Sequence, residues 1–252
     1  MPDAQLNEIF SSIQGEGLYV GERQIFVRFS GCNLSCQYCD STQALVLFPT
    51  FKVETVPGSH KFEIQKNPAS VETVVGLVGV LADKPAGVNH SISLTGGEPL
   101  LQVDFLKAFL PEVKRRIKLP IYLETNGVLA DRLAEIIEQV DIVAMDIKLP
   151  SATGLSPYWK EHKKMLETAY LKEVFVKIVV TKESNFKEVD EAAALIASVD
   201  DKIALVLQPV SPHGPVKHRP GAEQLLALQT AAKRKLKTVR VIPQTHKLYG
   251  ML

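Results

Sequence analysis

The sequence has few cysteines, and no segment that predicts export or insertion into a membrane. Only three of its 252 residues are cysteine, and they are clustered. An odd, clustered set does not predict a framework of disulfides. The first twenty residues have no basic segment followed by an apolar run, so we expect no secretory signal. No apolar run approaches about 18 residues, so we also expect no membrane span. These absences predict a cytoplasmic protein whose thiols stay reduced.

The sequence also lacks an excess of charge of either sign. It has 29 Lys and Arg against 28 Asp and Glu, a formal net charge of +1. A protein that binds nucleic acid or an anionic membrane through bulk charge would have a basic excess. The hydrophobic content of 46% and the charged content of 23% are those of an ordinary globular protein. We therefore expect one domain, spanning residues 1–252, with neither nucleic acid nor membrane as a partner.

Short apolar, β-branched runs alternate with helix-like segments along the chain. Continuous apolar runs suit strands buried on both faces, and the alternation predicts right-handed βαβ units around a parallel sheet. Seven strands are predicted, at 24–30, 91–96, 121–127, 141–148, 173–181, 203–210 and 239–244. Helices are predicted at about 70–83, 103–118, 129–139, 158–170, 186–198 and 222–236. Pro111 should kink or break the second of these helices.

Polar clusters such as TGGEP, ETNG, DIK and QPVS follow nearly every predicted strand. The carboxyl ends of parallel strands lie on one rim, so these clusters should surround a single cavity. An open sheet would place its site mainly at a switch point. The predicted fold is therefore α/β, a partial or modified (β/α) TIM-type barrel of parallel strands with its site at the C-terminal rim. Residues 40–69 fit this pattern poorly and are interpreted as an insertion that can contain a hairpin.

All three cysteines lie within the eight residues CNLSCQYC. A structural zinc ion would need a fourth ligand, for example His60 or His90. A redox pair would use Cys36 and Cys39 and leave Cys32 without a role. A [4Fe–4S] cluster would use all three thiolates and leave one iron open to another ligand. The use of every cysteine in the chain favours the cluster, with zinc as the alternative.

The run CNLSCQYC resembles the cluster motif of the radical S-adenosylmethionine superfamily, whose members are full or partial βα barrels. By this resemblance, the open iron binds the amino and carboxylate groups of S-adenosylmethionine. TGGEP (95–99) resembles the glycine-rich motif that contacts the methionine amino group. Paired glycines allow the backbone to approach a ligand closely, and Glu98 offers a negative charge to an ammonium group.

Over almost the whole chain the sequence resembles, more specifically, the family of 7-carboxy-7-deazaguanine synthases. The segments EIFSSIQGEG, FVRFSGCNLSCQYCDS, LTGGEPLLQ, LETNG and VRVIPQTHKLYGML carry this resemblance. It implies a lyase that converts 6-carboxy-5,6,7,8-tetrahydropterin to 7-carboxy-7-deazaguanine with loss of ammonia, in the biosynthesis of queuosine and other deazapurines. In that chemistry, cleavage of S-adenosylmethionine gives a 5′-deoxyadenosyl radical that removes hydrogen from C6 and later returns it, and Mg2+ assists the rearrangement. The resemblance also implies an electron donor such as flavodoxin and a homodimer.

The resemblance assigns roles to residues of the rim. Cys32, Cys36 and Cys39 hold the cluster, and Ser41 ligates Mg2+, with Thr42 as the alternative. The pterin is expected to contact Ile13, Gln14, Gly15, Glu16, Arg28, Thr95, Glu124, His246 and the carboxylate of Leu252. S-adenosylmethionine is expected to contact Tyr38, Cys39, Asp40, Gly97, Glu98, Asp146, Ile147, Lys148, Gln208, Pro209, Val210 and Ser211.

Two other classes of function stay open from the sequence. One is a radical activase that removes hydrogen from a partner protein, and the other is a non-catalytic zinc or iron–sulfur module. The segments IQGEG and QTHK favour a small carboxylated substrate over a protein. We also expect the C-terminal segment, 244–252, to fold back over the cavity, with Leu248, Tyr249 and Leu252 packed down as a lid.

Overall fold

A computed structural model describes residues 2–251 of the chain. Over that range it contains twelve strands and seven α-helices, joined by short turns and five 3-10 segments. The strands are β1 (Asp3–Ala4), β2 (Leu6–Ile13), β3 (Arg23–Phe29), β4 (Thr50–Glu54), β5 (Phe62–Lys66), β6 (Ala69–Ser70), β7 (Ser91–Gly96), β8 (Ile121–Thr125), β9 (Ile142–Asp146), β10 (Glu173–Val180), β11 (Ala204–Pro209) and β12 (Val239–Val241). The helices are α1 (Val71–Ala82), α2 (Val103–Arg116), α3 (Ala130–Ala134), α4 (Pro150–Thr153), α5 (Trp159–Ala169), α6 (Phe186–Ala197) and α7 (Ala222–Lys233).

The predicted parallel strands all form and lie side by side in one main sheet. Within the described residues this sheet has the strand order β12-β11-β10-β9-β8-β7-β3-β2-β4-β5. The seven strands from β12 to β3 pair in parallel throughout. The order begins at β12 and ends at β5, so the sheet does not close on itself. A partial barrel is therefore confirmed, and a fully closed one is not formed.

Three further strands widen the sheet beyond β3. The N-terminal strand β2 pairs antiparallel with β3, and its register shifts between Leu6 and Glu8. That irregularity blurs the period-two pattern from which a strand is predicted, and β2 was not expected from the sequence. The insertion at 40–69 contains the hairpin of β4 and β5, and β4 joins the sheet parallel to β2. The prediction of a hairpin in the insertion is confirmed.

The helix α2 runs without a break from Val103 to Arg116, so the predicted break at Pro111 is wrong. Pro111 has no N–H to donate to the carbonyl of Lys107, four residues earlier in the helix. Both residues lie on the exposed side of the helix, where water can reach that carbonyl. Buried apolar residues on the opposite side anchor both halves of the helix. Among the residues described, no helix is long and apolar enough to cross a membrane.

Apolar side chains fill the inside of the partial barrel at the amino ends of its strands. Tyr122, Ile142, Ala144, Phe175 and Val206 form this inner cluster. The turn Gly17–Tyr19 packs onto it, with Leu18 and Tyr19 against the cluster. Gly17 has a φ of +69° there, and a Cβ would overlap the Phe175 ring. The main open space of the partial barrel lies above this floor, toward the carboxyl ends of the strands.

Candidate active site

Side chains alternate along a strand, and this places charged residues directly above the apolar floor. Two residues after Tyr122, Ala144 and Phe175 come Glu124, Asp146 and Lys177, which therefore share the inner face. They line a cavity of about 450 Å3, a volume that suits a small-molecule site. Of the predicted site residues, the cavity is lined by Ile13, Gln14, Gly15, Glu16, Arg28, Cys32, Cys36, Tyr38, Cys39, Asp40, Ser41, Thr95, Gly97, Glu124, Asp146, Lys148, Gln208, Val210, Ser211 and His246.

The three cysteines form one wall of this cavity, in the loop that follows β3. Their side chains are partly buried and face the same space. The sulfur of Cys32 accepts hydrogen bonds from Leu34 N at 3.4 Å and from Asn126 Nδ2 at 3.8 Å. Such donors stabilise thiolate ligands of iron–sulfur clusters and tune their potential. Gly97 lies so close to this loop that a Cβ would overlap the carbonyl of Gly31. The loop is therefore held by its neighbours and fits a cluster.

The described residues do not gather candidate zinc ligands around one point. Within residues 2–251, no three side chains of His, Cys, Asp or Glu converge closely enough to hold one metal ion. Structural zinc needs four protein ligands around one point. A [4Fe–4S] cluster does not need that convergence, because each thiolate binds a separate iron.

A hydrogen-bonded trio of side chains forms another part of the cavity wall. The Glu124 carboxylate accepts from Gln14 Nε2 at 2.9 Å and from Thr95 Oγ1 at 2.9 Å. Gln14 Nε2 also donates to Gln24 Oε1 at 3.0 Å, which fixes its amide orientation. Burial raises the pKa of Glu124, although the Lys177 ammonium opposes the shift. The trio presents hydrogen-bonding groups to a planar polar ligand.

Arg28 lies at the end of β3 with its guanidinium held from two sides. Its Nε donates to Glu8 Oε1 at 2.8 Å, and Nη1 donates to Ser41 Oγ at 3.4 Å. The guanidinium also lies 5.5 Å from the centre of the Phe10 ring. A ligand carboxylate can therefore be bound through the terminal nitrogens. Ser41 lines the cavity. Thr42 is exposed, begins a 3-10 turn and is not part of the cavity wall.

Four charged side chains, of which Lys148 is buried and the other three are half-buried, form a connected group in the cavity wall. Lys148 Nζ donates to Asp146 Oδ2 at 2.6 Å, and Lys177 Nζ lies 3.5 Å from Asp146 Oδ1. Lys177 also forms an ion pair with Glu16. Burial opposes ionisation of Asp146, but the two ammonium groups hold its pKa below the usual range. The same balance of burial against Lys177 lowers the pKa of Glu16. Both carboxylates therefore remain charged at neutral pH.

His162, on α5, holds the loop that follows β9. It is fully buried, its Nε2 accepts from the backbone N–H of Lys148 at 3.1 Å, and its Nδ1 lies 3.0 Å from the carbonyl of Gly127. These partners assign the proton to Nδ1. Burial lowers the pKa of His162 to about 4. The neutral ring therefore ties the turn after β8 to the loop that presents Lys148.

Three predicted contacts of S-adenosylmethionine do not reach the cavity in the described part of the chain. Glu98 is fully buried, and its carboxylate accepts from Asn126 N, Leu100 N and Thr125 Oγ1. The carboxylate is thus turned away from the cavity in this structure, and its direct contact with a ligand ammonium stays a prediction. The side chain of Ile147 belongs to the hydrophobic core, and Pro209 pairs with Val180 in the sheet. The predicted contact of Leu252 lies outside the described residues.

The C-terminal segment reaches the cavity, but through polar contacts. Thr245 N donates to the Gly15 carbonyl at 2.9 Å, and Lys247 Nζ donates to Asp40 Oδ2 at 2.6 Å. Leu248 and Tyr249 are each 75% exposed. The prediction that they pack down as an apolar lid is wrong, because the turn His246–Leu248 directs them outward.

Several residues of the cavity wall were not assigned an individual role from the sequence. They are Phe26, Leu34, Leu45, Gly96, Thr125, Asn126, Lys177, Val179, His213, Gln244, Lys247 and Met251. Lys177 has a signal in the sequence, because it stands two residues after the inward-facing Phe175 in β10. Gln244 and Lys247 lie in the segment 244–252 that was expected to fold back over the cavity, but no periodic pattern singles out their side chains, because they follow β12 in irregular backbone and in a short 3-10 turn.

Comparison with known proteins places this site in a family. The radical SAM superfamily model matches residues 26–196. The chain is 44% identical to 7-carboxy-7-deazaguanine synthase of Geobacter sulfurreducens, with 100% of this chain and 99% of the relative covered. It is 35% identical to the synthase of Methanocaldococcus jannaschii, with 98% and 100% covered. The crystal structure of QueE from Escherichia coli matches in fold, with a TM-score of 0.59, 19% identity, and 97% and 95% of the two chains covered. The chain therefore belongs to the radical SAM superfamily and, within it, to the family of 7-carboxy-7-deazaguanine synthases.

Proposed function

We propose that the chain is a radical S-adenosylmethionine lyase that converts 6-carboxy-5,6,7,8-tetrahydropterin to 7-carboxy-7-deazaguanine and ammonia. The observation that carries this proposal is that the cysteine loop and a set of polar groups suited to a carboxylated pterin face one cavity. The names of the relatives, at identities up to 44% over the full chain, support the same reaction. A protein substrate is not needed to explain the groups that line the wall.

On the cofactor side, Cys32, Cys36 and Cys39 would hold the cluster. The chemistry that a bound [4Fe–4S] cluster supplies is the one-electron reductive cleavage of S-adenosylmethionine. The backbone around Gly97 is exposed to the same space and can accept from an ammonium group. Asp40 and Asp146 lie at the cavity wall as charged acceptors. These groups would orient the cofactor toward the opposite wall.

On the substrate side, Arg28 would bind the pterin carboxylate through its terminal nitrogens. The Glu124 carboxylate would accept from N–H groups of the pterin ring, in an orientation that Gln14 and Thr95 fix. Lys177 holds its proton, because Asp146 and Glu16 raise its pKa against the effect of burial. Its ammonium keeps Glu16 ionised beside the ligand. The chain thus orients the substrate before any bond changes.

Mg2+ is proposed at Ser41, and not at Thr42. A hydroxyl oxygen suits this hard cation, and Ser41 Oγ lies 3.4 Å from Arg28 Nη1 at the cavity wall. A bound pterin carboxylate beside Arg28 would complete part of its coordination. The electron donor of flavodoxin type, the homodimer and the reducing cytoplasm stay predictions of the family resemblance and of the clustered thiols.

The proposal is tested by anaerobic turnover of the reconstituted protein with the carboxytetrahydropterin, S-adenosylmethionine, a reductant and Mg2+. We expect 7-carboxy-7-deazaguanine and ammonia in equal amounts, with S-adenosylmethionine regenerated. A reconstituted protein that cleaves S-adenosylmethionine but leaves the pterin unchanged would place it elsewhere in the superfamily. A colourless protein with one zinc per chain would remove the radical chemistry altogether.

A further inference from the structure

The side chain of Gln244 lies between the two halves of the cavity. It follows β12 and is 9% exposed. Its Nε2 donates to Glu16 Oε1 at 2.6 Å and to Asp40 Oδ2 at 2.9 Å, and its Oε1 accepts from Lys247 Nζ at 2.8 Å. Glu16 belongs to the proposed substrate side. Asp40 directly follows Cys39 and belongs to the proposed cofactor side. One amide thus joins a carboxylate of each half.

The amide is not needed to neutralise these carboxylates, because each has an ammonium group of its own. Lys177 forms an ion pair with Glu16, and Lys247 donates to Asp40 at 2.6 Å. What Gln244 adds is a connection between them. A primary amide is suited to this connection, since it carries two N–H donors on one nitrogen and no charge.

The position of Gln244 depends on the carboxylates that it binds. Lys177 also connects Glu16 to the cofactor side, through Asp146 at 3.5 Å, but it is fixed by strand pairing within β10. Gln244 lies three residues beyond the end of β12. Around it the segment is held by Thr245 and Lys247, which bind Gly15 and Asp40. A ligand that orders the carboxylate of Glu16 or of Asp40 therefore also orders the segment around Gln244. The ordered segment in turn holds the other carboxylate in place.

We propose that Gln244 is a positioning residue that couples the binding of S-adenosylmethionine to the binding of the pterin. The first ligand orders the Glu16–Gln244–Asp40 bridge, and the second then binds without the cost of ordering it. Coupling of this kind is reciprocal and is typically a factor of about 5 to 150. This inference rests on the proposed function for the identity of the second ligand only. We expect each ligand to lower the Kd of the other by at least about fivefold.

The matched variants for the test are Gln244→Met and Gln224→Met. Both remove an amide at similar volume. Gln224, on α7, donates from Nε2 to the carbonyls of Thr181, Lys182 and Ser184, at a distance from the cavity wall. Equilibrium binding to the reconstituted proteins gives the Kd of S-adenosylmethionine with and without pterin. Wild type and Gln224→Met should show the coupling of about fivefold or more. In Gln244→Met this coupling should fall below about twofold.

A second measurement uses S-adenosylmethionine alone and does not depend on the pterin. Amide hydrogen exchange is followed in the peptide that covers residues 13–17, on the substrate side. S-adenosylmethionine should slow this exchange in wild type and in Gln224→Met, but not in Gln244→Met. If wild type shows that protection but binds no pterin, the coupling stands and the proposed substrate is wrong. Protection or fivefold coupling that persists in Gln244→Met overturns the inference. The inference is also overturned if wild type shows no protection, or if Gln244→Met no longer binds S-adenosylmethionine.

Discussion

Glu98 and Asn126 connect the ends of two neighbouring strands directly behind the cysteine loop. Glu98 Oε2 accepts from Asn126 N at 2.7 Å, and Asn126 Nδ2 in turn points to Cys32 Sγ at 3.8 Å and Asn33 Oδ1 at 2.8 Å. The glutamate of TGGEP therefore acts on the thiolate loop through Asn126, from a fully buried position. Its side chain supports the site from behind the cavity wall.

Glu98→Gln is expected to destabilise the protein by about 2 kcal/mol. The carboxylate accepts hydrogen bonds from Leu100 N, Thr125 Oγ1 and Asn126 N, whereas the amide of glutamine would place its own N–H groups against some of these donors. Chemical denaturation of the wild type and the variant measures the difference in the free energy of unfolding. Glu135→Gln is the matched control, since Glu135 pairs with Lys107 at an exposed position and its loss should change stability by less than about 1 kcal/mol. Equal effects of the two substitutions would show that the buried hydrogen bonds of Glu98 contribute little.

The parallel strands were predictable from the sequence, and so was the rim on which the site lies. Continuous apolar runs followed by polar clusters are local signals, and the seven parallel strands, β3 and β7 to β12, follow them. The direction of the Glu98 side chain was not predictable in this way. The motif places its backbone at the cavity, but the donors that turn the carboxylate inward come from Thr125 and Asn126, about 28 residues further along. The segment that contains Gln244 was expected over the cavity, but the partners of its side chain were not predictable, because they are distant in the sequence.

Replacement of any one of Cys32, Cys36 and Cys39 by alanine is expected to abolish turnover and most iron binding. Each thiolate would hold a different iron, so none can substitute for another. Iron content and the visible absorption of the anaerobically reconstituted protein measure the loss. Ser35→Ala is the control, since Ser35 is an exposed residue of the same loop. A single cysteine variant with a full cluster and normal turnover would show that the ligand assignment is wrong.

Stability is expected to fall as the pH is lowered from about 6.5 to about 4, in part because of His162. The buried ring has a pKa of about 4, whereas an unfolded chain protonates histidine below its usual value of about 6.5. The unfolded state therefore binds the extra proton in this window, and the contribution reaches roughly 3 kcal/mol. The free energy of unfolding is measured at several pH values. His162→Gln should flatten the curve by that amount.

Ser41→Ala is expected to weaken the activation of turnover by Mg2+, while Thr42→Ala leaves it unchanged. Of these two neighbours, Ser41 lines the cavity and Thr42 does not. The Ser41 hydroxyl accepts a hydrogen bond from Arg28 there. Turnover is titrated with Mg2+ in both variants and in wild type, and the Kd of S-adenosylmethionine is measured alongside. We expect the Mg2+ concentration for half-activation to rise about tenfold or more in Ser41→Ala, because the cation would lose one oxygen ligand. The same titration curve in all three proteins would exclude a side-chain ligand at either position.

Gly15→Ala is expected to raise the KM for the pterin by about tenfold or more, equivalent to roughly 1.4 kcal/mol. A Cβ at this position would overlap the ring and the Cβ of His246. The substitution should therefore push the C-terminal segment away from the cavity. Gly76→Ala is the control, because Gly76 lies in α1 with open space around it. Iron content and S-adenosylmethionine affinity should stay at wild-type values in both variants.

The steric cause is tested in the His246→Gly background, which removes the overlapping atoms. There the added effect of Gly15→Ala on KM should shrink to less than about threefold, the non-additivity expected of residues in contact. An undiminished effect in that background would show that the alanine acts on the pterin directly, and not through His246.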